Sequence, residues 1–233
     1  MGEYFKFENK ERDIPYYNHN PQLSKRAWIV LLSSVIISFI VYILLEDMSE
    51  FFASFIFCAI LLIPLMYYSD WDVSLILRWP TKSEIKLAVI LFIGYMIYAM
   101  VVGDIIDGML NVSSGLEVNG EAIISLVFSM MAEELVKFIP FVFLMRLVYK
   151  NTQNRKLAII ISTFLVLIFF GLLHYDFETS IISVLMLQGL GSLFEFYGYI
   201  KTKNLFVPYL SHLLTDGAIF LVMLLGMWYY GKR

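Results

Sequence analysis

The chain has 233 residues, of which 60% are hydrophobic and only 16% are charged, and its formal net charge is -3. A soluble domain of this length carries more charge and shorter apolar runs, and the weak negative charge gives no reason to expect a nucleic-acid partner. The single cysteine, Cys58, excludes an intrachain disulfide and a metal site built from paired cysteines. The composition indicates an integral membrane protein.

The apolar segments predict the fold class. Residues 1–26 are polar, and we expect them to form a cytoplasmic N-terminal tail; the apolar run that starts at Ala27 is too long for a cleaved signal peptide. A helix needs roughly 20 apolar residues to cross a bilayer. Seven segments reach or approach this length, at 27–45, 51–69, 85–103, 122–145, 157–175, 180–200 and 205–230. The predicted fold is therefore all-α, a polytopic bundle of about seven transmembrane helices.

The basic residues predict the orientation of the bundle. Lysine and arginine occur in the tail and near 78–86, 146–156 and 201–203, whereas the connections 46–50, 104–121 and 175–178 contain neither. Such alternation follows the positive-inside rule and predicts a cytoplasmic N-terminus, with the cell membrane as the expected location. Lys232 and Arg233, which the count places outside, are the one discordant signal.

The fourth span carries charges where the bilayer makes them costly. Glu133, Glu134 and Lys137 lie near its middle, and a charged side chain there costs about 2.5–3.5 kcal/mol on insertion scales. Ser125, Ser129, Glu133 and Lys137 are four residues apart and predict one polar stripe, while Glu134 can reach Lys137 at i+3. An ion pair between two helices would explain one carboxylate and the ammonium, but not the second carboxylate.

Two of the three histidines also lie inside spans. His174 follows Phe170 by four residues in the fifth span, and His212 precedes Asp216 by four in the seventh. Glu195, in the sixth span, either takes part in chemistry or satisfies one of the histidines. The sixth span has four polar residues at helical spacing: Gln188, Ser192, Glu195 and Tyr199.

These residue types suit water activation. A carboxylate and an imidazole that share a hydrated cavity can deprotonate a water for attack on a carbonyl, and a second histidine can stabilise the resulting oxyanion. Glu133, His174 and His212 would also suit zinc, with one coordination position left open. The residues leave a metal-free and a zinc-bound water as alternatives, and the favoured mechanism requires no cofactor.

Three motifs carry a resemblance to a known family. Glu133-Glu134, the segment FGLLH at 170–174 and the segment HLLTD at 212–216 resemble the EExxxR, FxxxH and HxxxN/D motifs of the CPBP or Abi intramembrane proteases, which include CAAX prenyl proteases and bacteriocin-processing enzymes. The resemblance covers roughly residues 122–220. It divides the chain into the tail, N-terminal membrane helices and loops at 27–121, and a CPBP-like catalytic membrane core at 122–233.

One position departs from the family pattern. The arginine of EExxxR falls at Phe138, and Lys137 precedes it by one residue. The spacing EExxK is similar to that of the related glutamic membrane proteases that cleave anti-sigma factors. The role of the arginine is either unfilled or taken over by Lys137.

The resemblance implies a role for each matching residue. It implies that Glu133 and His174 activate water, and that His212 and Asp216 lie where the family builds its oxyanion hole. An ionised Asp216 cannot donate a hydrogen bond, so we expect it to orient His212. We expect Glu134 to support the site, paired with Lys137, and Glu195 to be a further supporting residue.

The leading hypothesis is an intramembrane endopeptidase that cleaves a peptide or a membrane-associated protein near the bilayer boundary. Its expected partners are that substrate and the lipid bilayer. The alternative is a non-catalytic membrane immunity or scaffolding protein that binds a peptide in the same cavity. A proton-coupled transporter is less favoured, because the sequence shows no inverted repeat.

The predicted topology places the two histidines at different depths in the membrane. His174 lies late in an outward-running helix and His212 early in another, so their heights could differ by more than about 10 Å. Convergence requires a tilted or short fifth helix or a broken seventh one, and Pro208 and Gly217 offer places for a break.

Overall fold

The computed structural model describes residues 4–18, 20–110, 120–175 and 180–230, and every regular element within them is helical. The predicted all-α fold is confirmed. A π-helical turn, Leu185–Leu190, separates the sixth and seventh helices. The α-helices are α1 (Lys25–Leu45), α2 (Glu50–Tyr68), α3 (Lys82–Leu110), α4 (Gly120–Thr152), α5 (Arg155–Leu173), α6 (Ile181–Val184), α7 (Leu193–Thr202) and α8 (Phe206–Tyr230).

Six helical segments in the described ranges are long and apolar enough to cross a membrane, which makes the chain a multi-pass membrane protein. The helix α4 is long enough, but its central charges set it apart from these six. It packs against α1, α2, α5 and α8, so its charged middle is enclosed by other helices. The six segments are Lys25–Leu45, Glu50–Tyr68, Lys82–Ile106, Arg155–Leu173, Ile181–Thr202 and Phe206–Leu225.

Polar caps explain where three of the helices begin. The side chains of Ser24, Ser49 and Asn154 accept hydrogen bonds from the first turns of α1, α2 and α5. Such caps satisfy backbone N–H groups that have no partner within the helix. The third helix is longer than predicted and continues past residue 103 to Leu110. The tail pair Lys232 and Arg233 lies outside the described residues.

The antiparallel hairpin of α4 and α5 explains how His174 reaches the same depth in the bundle as Glu133. The helix α4 has 33 residues and is about 50 Å long, well beyond the roughly 30 Å of a hydrocarbon core. Glu133 lies 19 residues before its end and His174 lies 19 residues after the start of α5. Because the two helices run antiparallel, both positions are about 28 Å from the turn that joins them.

The proposed break in the last helix is wrong. Pro208 falls in the first turn of α8, where a missing backbone N–H costs no hydrogen bond, and the helix continues through Gly217. The histidines converge without a break in α8, because α5 ends beside the middle of α4.

Close backbone contact holds the end of α5 against the π-helical turn. A Cβ added to Gly171 would lie 3.0 Å from the Val184 carbonyl oxygen and 3.1 Å from Gly189 Cα. A Cβ added to Gly189 would lie 3.0 Å from the Leu167 carbonyl oxygen. Only glycine allows two backbones to approach so closely, and this contact places the turn next to His174.

The N-terminal segment, residues 4–18 and 20–23, is joined to the helices by buried ion pairs. Both terminal nitrogens of Arg155 donate to the two Glu8 oxygens at 2.8 Å, and Lys203 Nζ donates to Glu8 Oε2 at 2.6 Å. Arg155 also pairs with Asp13 at 3.0 Å. The segment therefore connects the start of α5 with the turn between α7 and α8.

Replacing Glu8 with alanine is expected to destabilise the protein by about 3–5 kcal/mol, because Arg155 and Lys203 would remain buried without their shared counter-charge. Unfolding of the purified protein in detergent would measure this change. Glu11→Ala is the matched control, since Glu11 is exposed and its loss should change the free energy of unfolding by less than about 0.5 kcal/mol. Equal effects of the two variants would contradict the prediction.

The contribution of Glu8 should also depend on pH. Burial raises the pKa of Glu8, but hydrogen bonds from Arg155 and Lys203 outweigh burial and lower that pKa below its usual value. A carboxyl group with a lowered pKa contributes stability at neutral pH and loses it as the pH falls through that lowered pKa. The difference in unfolding free energy between the parent and Glu8→Ala should therefore narrow in acid.

Candidate active site

The middle of α4, the end of α5 and the first half of α8 meet inside the bundle. Glu133 Oε2 lies 3.9 Å from His174 Nε2 and 3.7 Å from His212 Nε2. His212 Nε2 also lies 3.7 Å from Asp216 Oδ2. These separations exceed a direct hydrogen bond but suit a water that bonds to both atoms of a pair. The structure thus brings Glu133, His174, His212 and Asp216 together.

The motif FGLLH fixes the orientation of His174. The ring atom Nδ1 lies 2.9 Å from the Phe170 carbonyl oxygen, which can only accept a hydrogen bond, so Nδ1 carries a hydrogen. In the neutral ring Nε2 is then the acceptor, and it is the atom nearest Glu133. The Phe170 ring also contacts the imidazole edge-on, with centroids 4.7 Å apart.

His212 is oriented by Glu134. Its Nδ1 lies 2.9 Å from Glu134 Oε1, and both side chains are buried. The carboxylate accepts, so Nδ1 donates and Nε2 is left for Glu133 and Asp216. With Nδ1–H engaged in this way, Nε2 donates a hydrogen bond only when the ring carries a second proton.

Lys137 bridges two carboxylates from different helices. Its ammonium nitrogen lies 2.6 Å from Glu134 Oε1 and forms an ion pair with Glu195 Oε2, and its side chain is only 1% exposed. The Phe170 ring lies 4.5 Å from the same nitrogen, a favourable cation–π arrangement. Glu195 therefore pairs with Lys137, while its Oε2 remains 3.9 Å from His212 Nδ1.

A cavity of about 190 Å³ opens on the reactive face of this cluster. The side chains of Glu133, His174 and Asp216 are 20%, 33% and 29% exposed, in contrast to the nearly enclosed ion pairs behind them. The cavity is large enough for several waters or for part of a peptide. Its lining comprises Tyr95, Glu133, Phe170, His174, Gln188, Ser192, Glu195, His212, Thr215, Asp216, Ile219 and Phe220.

Two lining residues gain importance from the structure. Tyr95 was missed by the sequence analysis, because nothing in the apolar third span distinguishes it. Gln188 was noted only for its spacing, yet it lies on the π-helical turn and contributes to the cavity. Among the described residues, its Oε1 is buried and has no hydrogen-bond partner.

The residues close enough to share a metal ion differ from those predicted. Within the described chain, Glu134, Glu195 and His212 offer ligand atoms within 4.8 Å of one another, rather than Glu133, His174 and His212. The ammonium of Lys137 already pairs with both carboxylates, and it would repel a second cation. This close set fits an ammonium better than a metal ion. Zinc binding by the predicted set stays a prediction.

The fold and the site define a multi-pass helical protein with a cavity of carboxylates and imidazoles. Residues 115–218 match the family described as Rce1-like, type II CAAX prenyl endopeptidase Rce1-like. This match confirms the family resemblance for that part of the chain, and residues 115–218 hold every predicted site residue. No curated protein and no solved structure matches the chain.

The bridge formed by Lys137 predicts non-additive effects of substitution. Lys137→Met should destabilise the protein by about 3–5 kcal/mol, because Glu134 and Glu195 would remain buried as like charges without the ammonium between them, and only Glu134 would keep a partner, His212. Adding Glu195→Gln should recover part of this loss, because the second substitution removes one of those charges. Unfolding of the two single variants and the double variant in detergent would measure the coupling.

The matched control is Lys150→Met, which removes an exposed lysine from the end of the same helix. It should leave the free energy of unfolding within about 0.5 kcal/mol of the parent. If the losses from Lys137→Met and Glu195→Gln simply added in the double variant, the bridge would not be the source of stability.

Proposed function

We propose that the chain is an intramembrane endopeptidase that hydrolyses a peptide or a membrane-associated protein with a water activated by Glu133 and His174. The observation that carries this proposal is the meeting of two imidazole nitrogens within 4 Å of one Glu133 oxygen, beside a cavity inside the helical bundle. The Rce1-like match supports the same class of reaction.

Glu133 and His174 are suited to hold one water between them. A water at hydrogen-bond distance from both Glu133 Oε2 and His174 Nε2 would donate one hydrogen to each, since both atoms are acceptors. Its lone pair would then be free to attack the scissile carbonyl carbon. As the new C–O bond forms, the water proton passes to the Glu133 carboxylate.

The oxyanion formed by this attack needs hydrogen-bond donors. His212 Nε2, when protonated, can donate, with Glu134 holding the other ring nitrogen. Asp216 lies 3.7 Å from His212 Nε2 and, as a carboxylate, would balance the charge of the protonated ring. Collapse of the intermediate breaks the C–N bond, and the proton on Glu133 passes to the leaving amine. The products are a carboxylic acid and an amine.

Gln188 supplies a donor that the carboxylate of Asp216 lacks. Its amide NH₂ group offers two N–H bonds, and the side chain lines the cavity without a hydrogen bond to Oε1 from the described residues. A buried acceptor without a partner is uncommon unless a ligand or water completes it, so a water or a substrate N–H is expected to donate to Oε1, and the NH₂ group of the same amide then faces the bound substrate. We assign Gln188 to the oxyanion or to the substrate carbonyl beside it.

No step in this mechanism requires a metal ion or another cofactor. The ammonium of Lys137 balances the carboxylates behind the cavity, which is a task that a bound cation would otherwise perform. The substrate class to test first is a peptide that ends in a prenylated cysteine, two aliphatic residues and a final residue, because the matching family is named for CAAX prenyl substrates.

Glu133→Gln should lower the cleavage rate by about 10²- to 10⁴-fold, because glutamine keeps the shape of the side chain but cannot accept the proton of water. The assay follows cleavage of prenylated and unprenylated CAAX peptides by purified protein, with and without a zinc chelator. Glu121→Gln, on the same helix but outside the cavity, is the matched control. Full activity of Glu133→Gln would refute the mechanism.

Two further outcomes of this assay separate the alternatives. Loss of activity in the chelator, with recovery on adding zinc, would favour a zinc-bound water over the metal-free one. Peptide binding by the parent without any cleavage would favour the non-catalytic immunity or scaffolding function.

Gln188→Met should lower kcat by about 10²- to 10³-fold with a smaller effect on KM, because methionine fills the same space without an N–H donor for the developing charge. The peptide assay above measures both constants. Leu190→Ala, on the same π-helical turn, removes an exposed apolar side chain and should leave kcat unchanged. A rise in KM alone would assign Gln188 to substrate binding instead.

A further inference from the structure

A second and larger cavity lies away from the candidate active site and shares no lining residue with it. Its volume is about 650 Å³. The N-terminal segment, the first turns of α3 and the end of α7 form its walls. The residues that line it are Phe7, Glu8, Asn9, Glu11, Arg12, Arg78, Thr81, Ser83, Glu84, Lys86, Leu87, Ile90, Lys201 and Thr202.

Two of the three carboxylates in this lining are neutralised by partners within the protein. Glu8 is buried and holds Arg155 and Lys203. Glu84 forms an ion pair with Arg78 and accepts a hydrogen bond from the Thr81 backbone at 2.8 Å. Neither carboxylate is free to balance other cations in the cavity, so Glu11 is the only acid left to do so.

Three cations in the lining have no such partner among the residues that the structure describes. Arg12 donates to the Ser74 carbonyl oxygen at 2.6 Å, and Lys201 lies over the Tyr197 ring. Within the described ranges, neither these two nor Lys86 forms an ion pair with a carboxylate. Against Glu11 alone, three cations leave the cavity with a surplus of two positive charges, which suits an anionic ligand.

The cavity lies at the start of α3, a helix that is long and apolar enough to cross a membrane. Lys86 and Ile90 are one turn apart on α3, and Ile90 is 52% exposed on a helix that is apolar enough to cross a membrane. Trp79, just before α3, is 87% exposed, and tryptophan is enriched at membrane–water interfaces. We therefore expect Lys86 near the level of the lipid phosphate groups, with the exposed apolar side chain of Ile90 one turn further along α3.

We infer that this cavity binds the phosphate headgroup of an anionic phospholipid. Lys86, Lys201 and Arg12 provide the charge, and Leu87 and Ile90 provide an apolar wall that continues toward the lipid-exposed side of α3. That wall favours a phospholipid over a free phosphate ester, which has no apolar part to bury there. Basic pockets between membrane helices are a known type of lipid site. The positive-inside rule predicts that the lipid comes from the cytoplasmic leaflet.

The test compares lipid binding by the full-length protein in detergent, measured by native mass spectrometry. The probes are phosphatidylglycerol, zwitterionic phosphatidylcholine and soluble glycerol 3-phosphate. The test variant is Lys86→Gln/Lys201→Gln. The control variant is Lys82→Gln/Lys10→Gln, which removes the same charge from α3 and from the N-terminal segment but from outside the cavity lining.

The parent and the control variant should bind phosphatidylglycerol more tightly than phosphatidylcholine. The test variant should bind phosphatidylglycerol about 30-fold more weakly, which corresponds to two lost lysine–headgroup attractions. Equal weakening in the control variant would show a general attraction to charge and overturn the site. Equal binding of phosphatidylglycerol and phosphatidylcholine by the parent would also overturn the proposed site. Binding of glycerol 3-phosphate as tight as that of phosphatidylglycerol would assign the cavity to soluble phosphate esters instead.

The result does not depend on the proposed peptidase activity. None of the four substituted lysines lines the candidate active site, so peptide cleavage by both variants can be followed in the same preparations. Because Lys86, Lys82 and Lys10 are exposed and Lys201 is partly exposed, their substitution leaves no unpaired charge in the core.

Discussion

The rest of the site depends on one interaction inside the apolar bundle, the pairing of the Lys137 ammonium with the carboxylates of Glu134 and Glu195. A carboxylate removed from water needs a counter-charge or a proton. Lys137 serves Glu134 and Glu195 together, and Glu134 in turn holds His212. Phe170 covers the same ammonium and, through its backbone carbonyl, orients His174. One cation thereby connects α4, α5, α7 and α8.

The neighbouring glutamates perform different tasks because a helix turns them apart. Consecutive residues point about 100° from each other around the axis. Glu134 is buried with Lys137 and His212, while Glu133 is 20% exposed and borders the cavity. One helical turn thus provides both a neutralised support and a reactive carboxylate. The second carboxylate, which a simple ion pair between helices does not explain, is the one that meets both histidines.

Local spacing predicted the parts of the site that lie on one helix. The i+3 reach from Glu134 to Lys137 and the i+4 step from His212 to Asp216 follow from helical periodicity, and both pairs are close in the structure. Pairing between distant segments was beyond this reasoning. Nothing in the spacing indicates that Glu195 meets Lys137, 58 positions away.

The π-helical turn that carries Gln188 could not be predicted from the sequence either, because it depends on tertiary contacts rather than on periodicity. The carbonyl of Met186 accepts hydrogen bonds from the Gly191 backbone and from the Tyr98 hydroxyl of α3. The close approach of Gly171 then fixes the turn against α5. Apolar length alone predicted a single span at 180–200, and only tertiary packing divides it.

The ion pairs of the N-terminal segment contact the ends of helices that carry site residues. Arg155 begins the helix that ends at His174, and Lys203 follows the helix that carries Glu195 and precedes the one that carries His212. Glu8 holds Arg155 and Lys203 at one carboxylate. We therefore expect loss of this carboxylate to shift the start of α5 relative to the turn before α8, and with it the relative positions of both imidazoles. Glu8 lies outside the matched range 115–218. Ion pairs from a segment that the family match does not include thus hold helices of the matched core.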